Sequence, residues 1–212
     1  MIVAIDGPAA AGKGTLARTV AKELGFAYLD TGLLYRATGL KVLHLGGDPE
    51  DPAMAGRAAR SIDPEAFDDP ELRTDAAANA ASKVSAIPEV RSALLDFQRR
   101  FAARPPEGYA GAVLDGRDIG TVVCPDADAK LFITASVEVR AQRRFKELQE
   151  RGVEAIYARV LQDMQERDER DSSRSAAPLK AADDALVLDT SALSIDEVLG
   201  RALDYVRSKM DA

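Results

Sequence analysis

The sequence predicts an α/β fold in which a five-stranded parallel sheet lies between two layers of helices, a three-layer α/β/α arrangement. Two observations carry this prediction: short apolar runs typical of buried strands, and amphipathic helical patterns that separate them. The runs are residues 2–6, 26–29, 112–114, 130–134 and 185–188. Ligands of such sheets gather beyond the carboxyl ends of the strands, so functional motifs should directly follow these runs.

The composition indicates one globular domain. The chain has 212 residues, 46% of them hydrophobic, which is enough for one full core. The one cysteine, Cys124, lies in an apolar run, so we expect it to pack in the core of a protein from a reducing compartment. The chain has no basic-then-apolar leader and no apolar run that could cross a bilayer, so we expect a cytoplasmic protein with no membrane partner. The net charge of −7 argues against a nucleic-acid partner.

The segment after the first strand has the pattern of a phosphate-binding loop. Its glycines let successive backbone N–H groups point at phosphates, the following helix adds its positive end, and the lysine reaches the terminal phosphates. The chain is therefore predicted to bind a nucleoside triphosphate. The loop residues are Gly7, Pro8, Ala9, Ala10, Ala11, Gly12, Lys13, Gly14 and Thr15.

Gly14 departs from the general pattern of such loops. It stands where a serine or threonine usually ligates Mg²⁺ directly, and Thr15 comes one place late. We therefore expect no direct protein ligand, with Mg²⁺ held by phosphate oxygens and water. Asp115, at the end of the third strand, is expected to bond to those waters; the alternative is that it caps the following turn.

Further polar motifs follow the second and third strands. Residues 30–32 (Asp-Thr-Gly) precede Arg36 by one helical turn, and Arg117 lies just past the third strand. Two facing nucleotides carry many negative charges, and bidentate guanidinium groups neutralise them well. The alternative role for the arginines is in salt bridges with Glu147, Glu166 and Asp168. In the late helical segment, arginines share helix faces in two groups: Arg140, Arg143 and Arg144, then Arg167, Arg170 and Arg174.

Two regions do not look like core. Residues 46–75 are rich in Asp, Pro and Ala, including Asp63-Pro64, and predict short helices joined by turns, packed loosely beside the sheet. Residues 143–174 are highly charged and helical, with a break at Gly152. Both are candidates for flaps over the phosphate loop; the alternative is solvated surface. His44 is expected to have a packing or surface role, because an anionic phosphate acceptor needs no general base.

Together these motifs resemble those of the bacterial cytidylate kinase family over nearly the whole chain. The phosphate loop alone is shared by a whole superfamily, whereas the Asp-Gly-Arg-Asp run and the late Arg-Asp segment are much more specific. The matching stretches are 7–8, 12–15, 29–32, 35–36, 73–74, 78–82, 90–91, 93–95, 115–123, 166–168, 170–171, 174 and 177–179.

The resemblance implies a P-loop NTPase fold and transfer of the ATP γ-phosphoryl group to CMP or dCMP, with Mg²⁺ as cofactor. It also implies one domain with a core (about 1–45, 84–142 and 176–212), a small nucleotide-binding insert (about 46–83) and a helical lid (about 143–175). Residues 46–75 are shorter than in the family and lack its short strand-like run, so the resemblance does not define their fold. We expect a monomer.

The resemblance also implies roles for single residues. Ser82, Arg91 and Asp118 would recognise cytosine, and Arg36, Arg117 and Arg174 would hold the acceptor phosphate. Arg167 and Asp171 are similar to the family's ribose contacts, and Tyr35 would pack near the base. The implied catalytic group is Lys13, Arg117, Arg174 and Asp115; Thr31 belongs to the implied CMP site, and Arg140 and Arg144 to the lid.

Two alternatives remain open from the sequence. One is another small-molecule kinase on the same core, such as an adenylate, uridylate or shikimate kinase, against which the Asp-Gly-Arg-Asp run speaks. The other is a GTPase-type switch, which needs an Asn-Lys-x-Asp guanine motif. The only asparagine, Asn79, is followed by Ala80, so this motif is absent from the sequence.

Overall fold

A computed structural model describes residues 1–63 and 67–210. Its sheet has five parallel strands in the order β2-β3-β1-β4-β5, which confirms the predicted fold class. The ends of the strands differ from the predictions by at most two residues: β2, β3 and β5 extend one or two residues further toward the functional motifs, and β4 begins one residue earlier. The strands are β1 (Ile2–Asp6), β2 (Ala27–Asp30), β3 (Ala112–Gly116), β4 (Ala129–Thr134) and β5 (Leu186–Asp189).

Eight α-helices of the described residues flank or cap the sheet. They are α1 (Lys13–Leu24), α2 (Thr31–His44), α3 (Pro52–Arg60), α4 (Asp75–Val84), α5 (Pro88–Ala103), α6 (Val137–Glu150), α7 (Tyr157–Ser173) and α8 (Ile195–Met210). A 3₁₀ turn (Pro70–Arg73) precedes α4, and a π-helical turn (Ile119–Val123) follows β3. None of these helices is both long and apolar enough to span a membrane.

Alternate side chains of the central strands pack on opposite faces, as expected for a sheet covered on both sides. Val3 and Ile5 of β1 contribute to a core cluster with α1 and α8. Ala4 lies in a second cluster with β3, α5 and the π-helical turn. This second cluster also buries Cys124, which confirms its predicted packing role, and burial raises the pKa of its thiol to about 11.

The region 46–75 contains short helices and turns, as predicted, but the expectation of loose packing was wrong. Ala55, Ala58 and Ala59 of α3 are buried against side chains of α2 and α5, because their small size lets the helices approach closely. Asp51 caps α3 and Asp69 caps the 3₁₀ turn, each accepting from backbone N–H groups just beyond the following proline. The turn predicted at Asp63-Pro64 includes Pro64, which lies outside the described residues, so this turn stays a prediction.

The charged region 143–174 forms most of α6 and α7, which pack on each other through Leu148, Val160 and Met164. The chain turns between them at Gly152, whose φ of +70° favours glycine. The helix α6 begins at Val137, so the expected start of the lid at residue 143 falls inside this helix.

Candidate active site

The carboxyl ends of β1, β2 and β3 open into one cavity of about 300 Å³, called here the main cavity. Most of the residues singled out in the sequence line it, although they come from distant parts of the chain. The predicted residues at its wall are Ala9, Ala10, Lys13, Gly14, Thr31, Tyr35, Arg36, Ser82, Arg91, Asp115, Arg117, Asp118, Arg144, Arg167, Asp171 and Arg174.

The phosphate loop forms one end of the main cavity. Gly7 has a φ of +148°, and a Cβ there would lie 1.9 Å from the carbonyl oxygen of Ile133, so only glycine lets the loop leave β1 at this point. Lys13 begins α1 and is 9% exposed. Burial, together with the nearby Arg117, lowers its pKa to about 8. The loop thus presents a desolvated cation, which binds anions more strongly than an exposed one.

Asp115 faces Lys13 across the end of the sheet. Its Oδ1 lies 3.8 Å from Lys13 Nζ, and its Oδ2 accepts from the Tyr28 hydroxyl at 3.4 Å. A Cβ on Gly14 would lie 3.1 Å from the same Oδ2. The missing side chain at position 14 therefore leaves room for this carboxylate. Burial raises the pKa of Asp115.

Asp30, which we did not assign to the site, also lines the main cavity, beside Asp115 on the neighbouring strand. Its carboxylate accepts from Gly32 N–H at 3.0 Å and so caps α2. The hydroxyl of Thr31 donates to the Asp115 carbonyl at 2.8 Å and joins the start of α2 to β3. The local Asp-Thr-Gly sequence thus starts the helix that carries Tyr35 and Arg36 into the cavity.

The opposite end of the main cavity holds the predicted base-recognition residues. Arg91 of α5 forms an ion pair with Asp118, and its guanidinium lies 5.8 Å from the centroid of the Tyr35 ring. Burial raises the pKa of Asp118. Ser82 is buried nearby but donates to Asp171 Oδ1 at 3.3 Å. A planar ligand between these groups would meet a carboxylate, a guanidinium and an aromatic ring.

Arg174 lines the same cavity as Arg36 and Arg117. Its Nη1 donates to Ser85 Oγ at 3.0 Å, and its charge interacts with Asp171, which also pairs with Arg117, and then with Arg91 and Asp118. Its Nε and Nη2 are buried without a hydrogen-bond partner among the described residues. Because α7 ends at Ser173, the Arg174 side chain reaches the end of α4. Ser85, a contact that the sequence analysis missed, follows directly after α4.

Three guanidinium groups lie between the two ends of the main cavity. Arg117 Nε donates to Asp171 Oδ2 at 3.1 Å, and Arg36 Nη1 donates to the Leu72 carbonyl at 2.9 Å. Burial lowers the pKa of Arg167 to about 10, and Arg117 and Arg36 add to this effect. The Nε of Arg167 is buried without a hydrogen-bond partner among the described residues. Crowded, incompletely paired guanidinium groups create a site for an anion.

Comparison with known proteins agrees with this arrangement. The family model for cytidylate kinase matches residues 3–208. Cytidylate kinases of Paramagnetospirillum magneticum and Rhodospirillum rubrum are 65% and 59% identical to the chain; the first match covers 98% of both chains, the second 99% of this chain and 98% of the relative. The chain belongs to the cytidylate kinase family.

Solved structures of other proteins share the fold of this family member at low sequence identity. An uncharacterised protein from Eubacterium ventriosum has a TM-score of 0.58 at 13% identity, covering 98% of this chain and 99% of the other. A gluconokinase from Sinorhizobium meliloti has a TM-score of 0.51 at 17% identity, covering 99% and 93%. These likenesses concern the fold alone.

The two arginines predicted for the lid of this cytidylate kinase family member differ in their position relative to the main cavity. Arg144 lines the main cavity and pairs with Asp75 and, at 2.7 Å, with Glu147. Arg140 does not line it. The Arg140 guanidinium is buried and forms an ion pair with Asp168, the salt-bridge alternative considered for these arginines. It also donates to the Ala135 carbonyl at 2.9 Å and to the Ala9 carbonyl of the phosphate loop at 3.3 Å.

A second cavity of about 270 Å³ lies on the other side of the phosphate loop and was missed by the sequence analysis. Arg143 Nη2 donates to the Thr190 carbonyl at 2.7 Å, and the Thr190 hydroxyl donates to the Ala11 carbonyl at 3.3 Å. Thr190 directly follows β5, and this position after a strand end is the sequence signal that could have marked it as a site residue. Gly7 and Pro8 line neither cavity. The lining residues are Ala11, Gly12, Thr15, Leu16, Thr19, Ile133, Arg143, Thr190, Leu193, Ile195, Val198 and Leu199.

The single histidine is remote from both cavities. His44 lies at the end of α2, where its Nε2 is 2.9 Å from Glu71 Oε2 on the protein surface. This position agrees with the surface role expected from the sequence.

Proposed function

We propose that this member of the cytidylate kinase family transfers the γ-phosphoryl group of ATP to the 5′-phosphate of CMP or dCMP. An oxygen of the acceptor phosphate attacks the γ-phosphorus, the bond from that phosphorus to the β–γ bridging oxygen breaks, and ADP and CDP or dCDP leave. The observation that carries the proposal is the order of groups along the main cavity. In this one cavity Lys13 interacts with Arg117, Arg117 pairs with Asp171, and Arg174 interacts with Asp171 and with the Arg91–Asp118 pair.

The donor nucleotide is held by the phosphate loop. The loop amides and the start of α1 face the β- and γ-phosphates, and Lys13 neutralises them. The second cavity, apolar and bordered by Gly12 and Thr15, would hold the base of ATP, because it adjoins the same loop on its other side.

The acceptor lies in the main cavity. Arg36, Arg117 and Arg174, with Arg167 beside them, neutralise its phosphate and the charge that develops during transfer. Asp171, which already accepts from Ser82 and Arg117, offers a carboxylate to the ribose hydroxyls. The charge of Arg167 interacts with that of Asp171, so Arg167 lies between the ribose and the phosphate of the acceptor.

Recognition of cytosine rests on Arg91 and Asp118. A carboxylate accepts from the exocyclic amine of cytosine, and a guanidinium donates to its N3 and O2. Uracil presents a donor at N3 and an acceptor at O4, so the same pair would leave buried polar groups unsatisfied. Arg174 adds positive charge on this side of the cavity, and Tyr35 packs near the base.

The residues present fit a Mg²⁺ ion held mainly by the substrates. Among the described residues no cluster of three Asp, Glu, His or Cys side chains could enclose a metal ion. The buried Asp115 carboxylate beside Lys13 suits contacts to metal-bound water, and Gly14 offers no hydroxyl. When bound, Mg²⁺ would neutralise charge on the β- and γ-phosphate oxygens.

We also propose that the insert (46–83) and the lid (143–175) close over the nucleotides and exclude water during transfer. The enzyme is also proposed to work as a monomer. The location proposed for it is the cytoplasm, because an enzyme that uses ATP and CMP must act where both are present.

The test is a coupled assay of ADP release with ATP and Mg²⁺, offering CMP, dCMP, UMP, AMP and GMP separately, with a no-acceptor control. Turnover largely confined to CMP and dCMP supports the proposal. Turnover only with another monophosphate would keep the donor site but reassign the acceptor. Hydrolysis of ATP that is indifferent to every acceptor would overturn the kinase assignment.

The Asp118→Ala variant tests the base recognition separately. It should lower kcat/KM for CMP by about a hundredfold while changing that for UMP much less, because the lost acceptor serves only the cytosine amine. Asp204→Ala, an exposed position on α8, is the matched control. Equal losses with CMP and UMP would contradict the role of Asp118.

A further inference from the structure

The segment that follows Asp118 is a single π-helical turn, Ile119–Val123. Such turns are rare, and they are frequently found at functional sites. In this chain the turn directly follows Arg117 and Asp118, which the proposed function places at the acceptor. The position of these two side chains therefore depends on how the turn is held.

The amino end of the turn is held by Asp6. The Asp6 carboxylate accepts from Ile119 N–H at 2.8 Å and from Gly120 N–H at 2.7 Å, one oxygen to each. Asp6 is the last residue of β1, and the phosphate loop begins at the next residue. A single side chain thus joins the start of the donor loop to the start of the turn.

The carboxyl end of the turn is held by Arg99 of α5. Its Nε donates to the Val123 carbonyl and its Nη2 to the Val122 carbonyl, both at 3.0 Å. The same helix carries Arg91, which pairs with Asp118. The helix α5 therefore fixes both the turn and the carboxylate in front of it.

The burial of Asp6 is energetically unfavourable, which argues against a purely structural contact. It is 4% exposed, and among the described residues no lysine, arginine or histidine forms an ion pair with it. Burial of a carboxylate without a cation is unfavourable, and here it raises the pKa of Asp6 to about 7. Above this pKa, the ionised carboxylate provides two acceptors in one plane, which a neutral side chain of the same size does not.

We propose that Asp6 and Arg99 are positioning residues for base selection, acting through the turn Ile119–Val123 on Arg117 and Asp118. Neither residue lines the main cavity, so neither touches substrate. The inference rests on the proposed function and extends it to residues that no direct contact with CMP would identify.

The test compares Arg99→Met with Arg100→Met, an exposed neighbour on the same helix. Steady-state KM and kcat are measured for CMP and UMP, and the Kd of ATP by calorimetry. We expect Arg99→Met to raise the KM for CMP about tenfold. It should also lower the ratio of kcat/KM for CMP to kcat/KM for UMP about tenfold. The reason is that loss of the two hydrogen bonds lets the turn move. The Kd of ATP and all constants of Arg100→Met should stay within about twofold.

Asp6→Asn is the second variant. An asparagine keeps one acceptor but turns an N–H₂ group toward the other backbone N–H, so it should lower the same selectivity ratio. A general loss of stability would reduce kcat for both acceptors alike and leave the ratio unchanged. Because Arg99 lies at the surface, its variant tests the proposal even where Asp6→Asn fails to fold.

The outcomes separate this inference from the proposed function. If the unmodified enzyme does not phosphorylate CMP, the proposed function is wrong. If it does, and Arg99→Met keeps the original KM and selectivity, Arg99 and Asp6 have no positioning role. An increase of the ATP Kd equal to that of the CMP KM would also overturn the inference.

Discussion

At the scale of single residues, Lys13 carries the largest expected share of catalysis. Replacing it by methionine (Lys13→Met) removes a buried cation from the donor phosphates, and kcat should fall about a thousandfold or more, equivalent to several kcal/mol of barrier. Initial-rate assays with CMP as the acceptor measure the decrease of kcat. Lys22→Met, an exposed lysine of the same helix, should keep near-normal turnover. Normal turnover of Lys13→Met would refute the role of Lys13.

Asp6 should make the stability of the folded protein depend on pH. Its pKa is raised to about 7 from 3.8, so the folded protein holds a proton that the unfolded chain has already released. Stability should therefore fall as the pH rises between these two values. Over this range the free energy of unfolding should fall more steeply than in Asp6→Asn, by up to about 1.4 kcal/mol per pH unit. Urea titrations between pH 4.5 and pH 7 give both slopes; equal slopes would contradict the buried, protonated state.

Part of the main cavity could be named from local sequence signals, whereas the roles of Ser82, Arg91, Arg167 and Asp171 came only from the family resemblance. The phosphate loop has a fixed spacing, and Arg117 and Asp118 follow a strand directly. Arg140 was placed less well, because the direction of its side chain depends on which surface α6 packs on. Asp6 looked like part of a strand, and its contact with Ile119 and Gly120 joins residues more than a hundred positions apart.

At the scale of elements, the close contact of α2 with α4 depends on a glycine. A Cβ on Gly39 would lie 2.7 Å from the Cβ of Ala80, so Gly39→Ala should push the helices apart. We expect it to reduce the free energy of unfolding by about 1–3 kcal/mol, an overpacking effect.

Gly200 on α8 provides the matched control for this prediction. A Cβ there meets no atom of the described residues within 4 Å. Gly200→Ala should therefore stabilise the protein by about 0.5–1 kcal/mol, because alanine favours the helix more than glycine does. Urea unfolding of both variants measures the difference; a stabilising Gly39→Ala would show that the two helices do not pack as described.

The existence of the helices could be predicted from sequence more easily than their partners. The alanines of α3 looked like a loosely packed segment, since a small side chain gives little periodic signal. In the structure their small size is the reason for close packing against α2 and α5. Packing of this kind depends on three helices that meet, and the sequence pattern of a single helix does not show which other helices pack against it.

At the scale of the whole molecule, the proposed lid and insert already touch across the mouth of the main cavity. Arg144 pairs with Asp75, Arg151 donates to the Arg73 carbonyl at 3.2 Å, and Arg170 donates to Asn79 Oδ1 at 3.2 Å. Because exposed pairs of this kind contribute little free energy, closure is expected to depend on the bound nucleotides.

Arg144→Met should therefore weaken both charge neutralisation and the exclusion of water. We expect kcat for CMP to fall about tenfold, and the ratio of ADP formed to CDP formed to rise above one. Chromatographic quantification of both products measures this ratio. Arg159→Met, an exposed arginine of α7, is the control. A ratio that stays at one in Arg144→Met would exclude a part for this residue in shielding the reaction from water.

The position of β1 in the sheet has a consequence for synthesis of the chain on the ribosome. Its two hydrogen-bonded neighbours are β3 and β4, which begin at Ala112 and Ala129. A nascent chain of about a hundred residues therefore holds the complete phosphate-loop motif but neither strand that aligns it. Until β3 has left the exit tunnel, β1 is an apolar strand with two open edges, and until β4 follows, one edge stays open, so ATP has no fully formed site through which it could stabilise the folding chain.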